Sequence, residues 1–228
     1  LPTRDEDAGV ETEGPEFETV MAWGSNQLVD DVVEVMKANE LCDRLGVDTI
    51  SAGDTMAAYL KSEDDLANPE RARELLRKVA YRDGEIGDLL AEGVHRAAGE
   101  LGVEDWSVKG LEFAAHDGRT LNGQGLSFAT SNRGADHMYA SFYSKEYPLV
   151  DAEEAIDKRG LDGKAPLVAV AENHNAVLDS AVACKFSRDF VTEARLGRLL
   201  DAEYDHRPAA GADRAVRGRE VAHTRRVA

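Results

Sequence analysis

The sequence predicts a mainly α, multihelical protein, with two helical domains and an irregular, glycine-rich segment between them. Three observations carry this reading. Apolar residues recur at helical spacing in several stretches, helix-starting and helix-ending residues punctuate those stretches, and strand patterns are sparse. With 228 residues, 43% of them hydrophobic, the chain has the length and apolar content to bury a core. The expected domains are residues 1–108 and 109–205, followed by a disordered tail over 206–228.

The chain opens on LPTRDEDAGVETEG, a polar lead-in without a core pattern, and it does not begin with Met. It reads as a chain cut from something longer. GPEFET follows as a Gly/Pro-led approach to a helix. Residues 28–45 form the first expected helix, with Val32, Val35, Met36 and Leu41 on one stripe and Gly46 just past its end. Asn68 and Pro69 are the cap and first residue of a second helix carrying Leu75, Leu76 and Val79, and Gly84 closes it. Residues 85–101 are expected as a third helix, its interior Gly87 and Gly93 implying close packing against a neighbour. Residues 109–136 contain five glycines among Asn, Asp and Ser and read as irregular chain. Helical patterns resume over 151–159, 167–182 and 187–202, with Ser187 as a cap. From His206 onward the composition changes to six Arg, no Lys and two acids. A shifted reading frame would account for it.

The formal charge is −17, from 44 Asp and Glu against 27 Lys and Arg, only eight of the latter Lys. Such a surface repels phosphates and anionic lipid, so nucleic acid and membranes are not expected partners. The same balance suits a salt-adapted, halophilic cytoplasm, where screening removes self-repulsion. Two cysteines cannot build a disulfide framework of the secreted kind, and no signal peptide or long apolar run is present. The expected compartment is cytoplasmic.

Glu16 and Glu18 lie where backbone rather than a helix face aims the side chain. A desolvated glutamate there can act as a general base, and a solvated loop acid is the ordinary alternative. His116, His137 and His174 have no partner at a metal-ligand spacing, and no zinc, P-loop, Rossmann or G-x-S-x-G motif occurs. Two six-residue phrases resemble each other: DRLGVD at 43–48 and DSAVAC at 179–184. A carboxylate at a helix end accepts hydrogen bonds from a heterocycle's N–H groups, and two such loops suit a ligand with two related ends. Cys184 in the last slot is either a cluster thiolate or an inert buried thiol.

Taken in order, ETEGPEFET, ANELCDRLGVDTIS, AYRDGEIGDLLAEGVHRAA, KGLEFAAHDGR, GLSFATSNRGADH and LDSAVACKF resemble the tungsten-containing aldehyde ferredoxin oxidoreductase family over roughly residues 1–205. In that family a β-rich N-terminal base domain carries two helical domains, with a tungsten bis-pterin (tungstopterin) and a 4Fe–4S cluster between them. The resemblance places only the two helical domains here. It implies that the base domain and three cluster cysteines, in a C-x-x-C-x-x-x-C motif, lie upstream of the LPT stretch.

By resemblance, Asp43, Gly46, Val47 and Asp48 form one pterin-binding loop, and Asp179 and Ala183 belong to the other. Asp43 and Asp179 accept from the pterin rings, Asp48 holds its loop, and Cys184 is the fourth 4Fe–4S ligand. Glu18 and His137 are the implied catalytic residues: Glu18 acts on water or the aldehyde substrate, and His137 hydrogen-bonds an oxygen at the metal. The implied reaction oxidises an aldehyde to a carboxylic acid, with electrons leaving through the cluster to ferredoxin. Two departures stand out. Val182 occupies a place where the family often has Gly, acceptable if its φ stays below zero. Lys37-Ala38-Asn39-Glu40 replaces the E-x-x-H motif that bridges subunits in some members, so no bridging metal is expected and a homodimer loses that support. The alternative reading is a truncated, non-catalytic remnant or a helical interaction protein that binds no metal.

Overall fold

The computed structural model describes residues 2–147, 156–188 and 190–199. It is mainly helical, as expected, with two small antiparallel sheets among the described residues. The chain divides into two compact units. The first runs through Asp117 and takes in Ser131–Asp136; the second comprises Gly118–Thr130 and the chain from His137 on.

In the first unit, β1 (Pro2–Asp5) and β2 (Val10–Glu13) pair as a hairpin inside the polar lead-in. Val10 and Thr12 are its buried face, and Thr12 and the Glu13 carbonyl receive the Asn39 amide at 2.6 and 2.9 Å. Helix α1 (Phe17–Trp23) follows, then α2 (Val32–Leu45), whose cap Asp31 accepts from the Val33 amide at 2.8 Å. The expected helix over 28–45 therefore starts at Val32. Leu28 takes φ 59 and ends a 3-10 turn instead.

Helix α3 (Thr49–Ser62) was not expected. It is buried nearly all round, with Ala52, Met56, Ala57, Ala58 and Leu60 in the core, so it shows no polar face and no amphipathic stripe. Helix α4 (Pro69–Tyr81) starts as expected, Asn68 accepting from the Arg71 amide at 3.0 Å. It ends at Arg82 in the left-handed region, and Gly84 opens the next helix rather than closing this one. The expected single helix over 85–101 is two, α5 (Gly84–Leu90) and α6 (Val94–Leu101). Gly93 at φ 81 turns the chain between them. The close packing inferred for Gly87 is present: a Cβ there would stand 2.6 Å from the Lys78 carbonyl of α4. Trp23, Leu41, Cys42, Met56, Leu75, Leu76 and Leu90 meet in one core. The ladder of β3 (Ser107–Val108) and β4 (Leu111–Glu112) completes the unit. The Ser131–Asp136 strap joins it through Lys109, which donates to the Ser131 carbonyl at 2.6 Å.

The second unit contains α7 (Asn122–Thr130), α8 (Tyr143–Glu146), α9 (Lys164–Ser180) and α10 (Glu193–Leu199). Helix α7 lies inside the glycine-rich segment expected to be irregular. Its glycines permit close approach: a Cβ on Gly125 would stand 2.7 Å from the Gly118 carbonyl, and one on Gly123 would collide with the Phe142 ring. Phe142, Val168 and Ala140 form the core, with Leu126, Leu167 and Ala171 against it. Below them the buried carboxylate of Glu146 pairs with the buried Lys164 ammonium. It also accepts from the first amides of α7, Gly123 at 2.7 Å and Gln124 at 2.9 Å.

The helix expected over 167–182 is α9, which starts at Lys164 and ends at Ser180. Of the helix expected over 151–159, residues 151–155 lie outside the described residues and 156–159 are not helical. Ser187 ends a 3-10 turn, and α10 starts only at Glu193. The tail over 206–228 lies outside the described residues. Among the described residues no helix is long and apolar enough to cross a membrane.

Candidate functional site

The two similar phrases fold into the same backbone frame. Helix α2 ends at Asp43-Arg44-Leu45, and Gly46 turns left-handed at φ 66. The Gly46 amide returns to the Asp43 carbonyl at 3.3 Å and the Val47 amide to the Cys42 carbonyl at 3.0 Å. Asp48 is then extended (φ −61, ψ 132) and caps α3, its Oδ2 accepting from the Ser51 amide at 2.8 Å. In the second phrase α9 ends at Asp179-Ser180. The Val182 amide returns to the Asp179 carbonyl at 3.0 Å and the Ala183 amide to the Leu178 carbonyl at 2.9 Å. Cys184 is extended (φ −62, ψ 133), and its carbonyl accepts from the Ser187 amide at 2.9 Å. Both are helix-terminating turns that satisfy the last free carbonyls. The leading aspartates, Asp43 and Asp179, are both exposed. Asp179 pairs with Lys185 at 2.8 Å.

The shared frame corrects one expectation. Val182 does not keep φ below zero; it stands at φ 55 with its side chain in solvent. Left-handed backbone costs an L-residue roughly 1–2 kcal/mol, and a branched Cβ is poorly suited to it. The two returning amides and the helix end hold Val182 where Gly46 sits without strain.

The two cysteines differ as their slots do. Cys184 is free and exposed. Cys42 is buried in the α2 face, and burial, with Asp43 and Asp48 nearby, pushes its thiol up to about 12. At neutral pH Cys42 is an inert thiol and offers no thiolate.

Glu18 sits in the first turn of α1 with its side chain mostly buried. The Ala115 amide donates to its Oε2 at 2.6 Å, and His116 Nε2 lies 3.2 Å from its Oε1. The His116 ring stacks on Phe17, centroids 5.6 Å apart. One turn on, Thr19 shares a hydroxyl contact with Thr49 at 2.9 Å, and the Trp23 indole donates to the Thr49 carbonyl at 3.0 Å. Those contacts tie the Glu18 helix to the residue directly after Asp48. Gly53 lets the helices close, since a Cβ there would stand 2.6 Å from that of Ala22. His137, the other expected catalytic residue, belongs to the second unit, partly buried beside the Tyr143 ring at 6.0 Å. Sequence reasoning passed over His116, because nothing local marks a pairing that joins positions 97 residues apart in the neighbouring Ala115–Glu18 bond.

A buried acid adds charge to this part of the first unit. Asp54 of α3 is 3% exposed and accepts from the Asn26 amide at 2.7 Å. Burial, then the negative charges of Glu112, Glu18 and Asp48, raise its pKa from 3.8 to about 8. The folded state therefore holds a proton that the unfolded state releases near pH 4. The stabilisation is full below that pH and is lost as pH rises toward 8. Asp54→Asn is expected to flatten this slope, leaving stability at pH 4 unchanged and raising it at pH 8. Urea denaturation at the two pH values measures it, and an equal slope in both proteins contradicts it.

A family model described as aldehyde ferredoxin oxidoreductase, domains 2 and 3, matches residues 2–223. The matched span takes in most of the Arg-rich segment from His206, which the sequence reading had set outside the resemblance. The tungsten-containing aldehyde ferredoxin oxidoreductase of Pyrococcus furiosus is 36% identical over 198 residues, covering 78% of this chain and 32% of that protein. Its counterpart from Thermococcus kodakarensis is 35% identical over 197 residues, covering 77% and 32%. The chain thus spans about a third of the length of the relatives it matches.

Proposed function

The chain belongs to the aldehyde ferredoxin oxidoreductase family, and on that premise we propose that it is the cofactor-holding helical part of a tungsten enzyme oxidising aldehydes to carboxylic acids. The observation that carries this reading is the repeated frame at the ends of α2 and α9: two exposed carboxylates in matching places, with an exposed thiol closing the second.

The residues fit the cofactors by the chemistry of their donor sets. Asp43 and Asp179 are acceptors for ring N–H groups of a pterin, while Gly46, Val47 and Ala183 supply the turns that present them. Asp48 spends its carboxylate on capping α3 and so holds its own loop rather than a ligand. Cys184, free and exposed, suits a thiolate ligand of an iron–sulfur cluster. When bound, the tungstopterin and a 4Fe–4S cluster supply the two-electron oxidation and a one-electron exit to ferredoxin.

The chain's own residues do the rest. Glu18, its Oε2 held by the Ala115 amide, takes a proton from the water that attacks the aldehyde carbon. His137 binds the aldehyde oxygen and orients the carbonyl, a role assigned from the family pattern alone. Burial of Glu18 keeps bulk water from competing for its proton-accepting oxygen.

The direct test is metal analysis of the chain joined to, or co-expressed with, the remaining two-thirds of the family's length. The expected result is about one tungsten and four irons per complex, with the iron lost in Cys184→Ser. A folded complex free of tungsten overturns the proposal and favours a helical interaction protein.

A further inference from the structure

Two dipeptides lie face to face in the first unit. Phe17-Glu18 opens α1, and Ala115-His116 follows β4. Between them run three contacts: the Ala115 amide on Oε2 of Glu18, His116 Nε2 at 3.2 Å from Oε1, and the ring of His116 on that of Phe17. Oε2 is thereby held by a hydrogen bond from the Ala115 amide, and Nε2 of the next residue stands within ion-pair distance of Oε1. The stacking contact with Phe17 keeps the imidazole beside the carboxylate.

The pair is also graded in exposure. The Glu18 side chain is 12% exposed and that of His116 is 24% exposed. A proton placed on Glu18 is in the drier of the two groups, and the imidazole is its nearer neighbour on the way to water.

We propose that His116 is a positioning residue that holds the Glu18 carboxylate and then takes its proton. The inference rests on the proposed role of Glu18 as acceptor of a proton from water. In the Nδ1–H tautomer the bare Nε2 faces Glu18, and the O–H bond of protonated Glu18 breaks as an N–H bond forms at Nε2, giving imidazolium beside a restored carboxylate. The imidazolium loses its Nδ1 proton to solvent, and the resulting Nε2–H ring returns to the Nδ1–H tautomer by gaining a solvent proton at Nδ1 and losing the one on Nε2, ready for the next proton. No electrons move in this step, and the only product is a solvated proton. Negative charge nearby assists it: Glu112 on β4, Glu18 and the α3 cap Asp48 are the charges that help keep the neighbouring Asp54 protonated.

The first test needs no cofactor. In the chain labelled with 15N-histidine, with His116→Gln assigning the resonance, the His116 ring nitrogens are titrated by NMR. Glu18→Gln is expected to lower the proton affinity of His116 about tenfold, because the opposite charge that favours imidazolium is removed. An unchanged titration overturns the proposal. The second test uses the tungsten-loaded holoenzyme. His116→Gln keeps a hydrogen-bond donor toward Glu18 but accepts no proton. It should lower kcat at least about tenfold at unchanged KM, with partial recovery when imidazole is added to the buffer. Full turnover in that variant, or loss that imidazole does not touch, overturns it. Full turnover in a Glu18→Gln holoenzyme instead overturns the role given to Glu18 itself, whatever the titration shows.

Discussion

Under the proposed function, Glu18→Gln is expected to cost the tungsten-loaded enzyme about 10²–10⁴-fold in turnover, the span over which a positioned general base acts. The substitution is close to isosteric, and the glutamine carbonyl can still accept from the Ala115 amide, so α1 should keep its place. The ties from Thr19 and Trp23 to Thr49 do not involve Glu18 and stay intact. Tungsten and iron contents should therefore match the parent enzyme, and aldehyde binding should change little. What the amide cannot do is take a proton. Steady-state kinetics beside metal analysis separates the cases. Unchanged turnover with full metal removes Glu18 from the mechanism, and lost turnover with lost metal makes it a structural residue.

Lys164→Met should destabilise the second unit by about 3–5 kcal/mol, the usual consequence of leaving a buried charge without its partner. Glu146 is fully buried and keeps only the Gly123 and Gln124 amides once the ammonium is gone. Two backbone donors at the start of α7 favour the anion but do not neutralise it. Urea denaturation measures the loss, and amide exchange at Gly123 and Gln124 locates it. Adding Glu146→Gln to Lys164→Met should recover part of it, since the neutral side chain still offers an acceptor to one amide. A single variant within about 0.5 kcal/mol of the parent would show that the pair contributes packing rather than charge balance.

Much of the helical frame was legible because its ends carry chemistry that acts locally. Asn68-Pro69 and Gly46 mark their termini through side-chain acceptance and a positive φ, and both were read correctly. Helix α3 escaped because a helix surrounded by protein has no polar face to set against an apolar one. The glycines of α7 misled for a related reason. A missing side chain signals either a loop or a close neighbour, and only the Phe142 ring against Gly123 decides between them. The hairpin of β1 and β2 hid in a polar sequence because a single buried edge, Val10 and Thr12, suffices for it. At the site, the loop residues belong to one continuous phrase each and could be read as units. The Glu18–His116 pair could not, since it is made by the fold bringing the end of β4 to the start of α1.

The repeated turn has a consequence for how such a protein can change. In both copies the backbone is finished by its own hydrogen bonds before the sixth residue begins, so that residue is a socket whose occupant the frame does not dictate. Filled with Asp48 it anchors the next helix; filled with Cys184 it leaves a soft donor facing outward. One residue at a fixed address thus decides whether the turn spends its last side chain on the next helix or leaves it exposed as a soft donor.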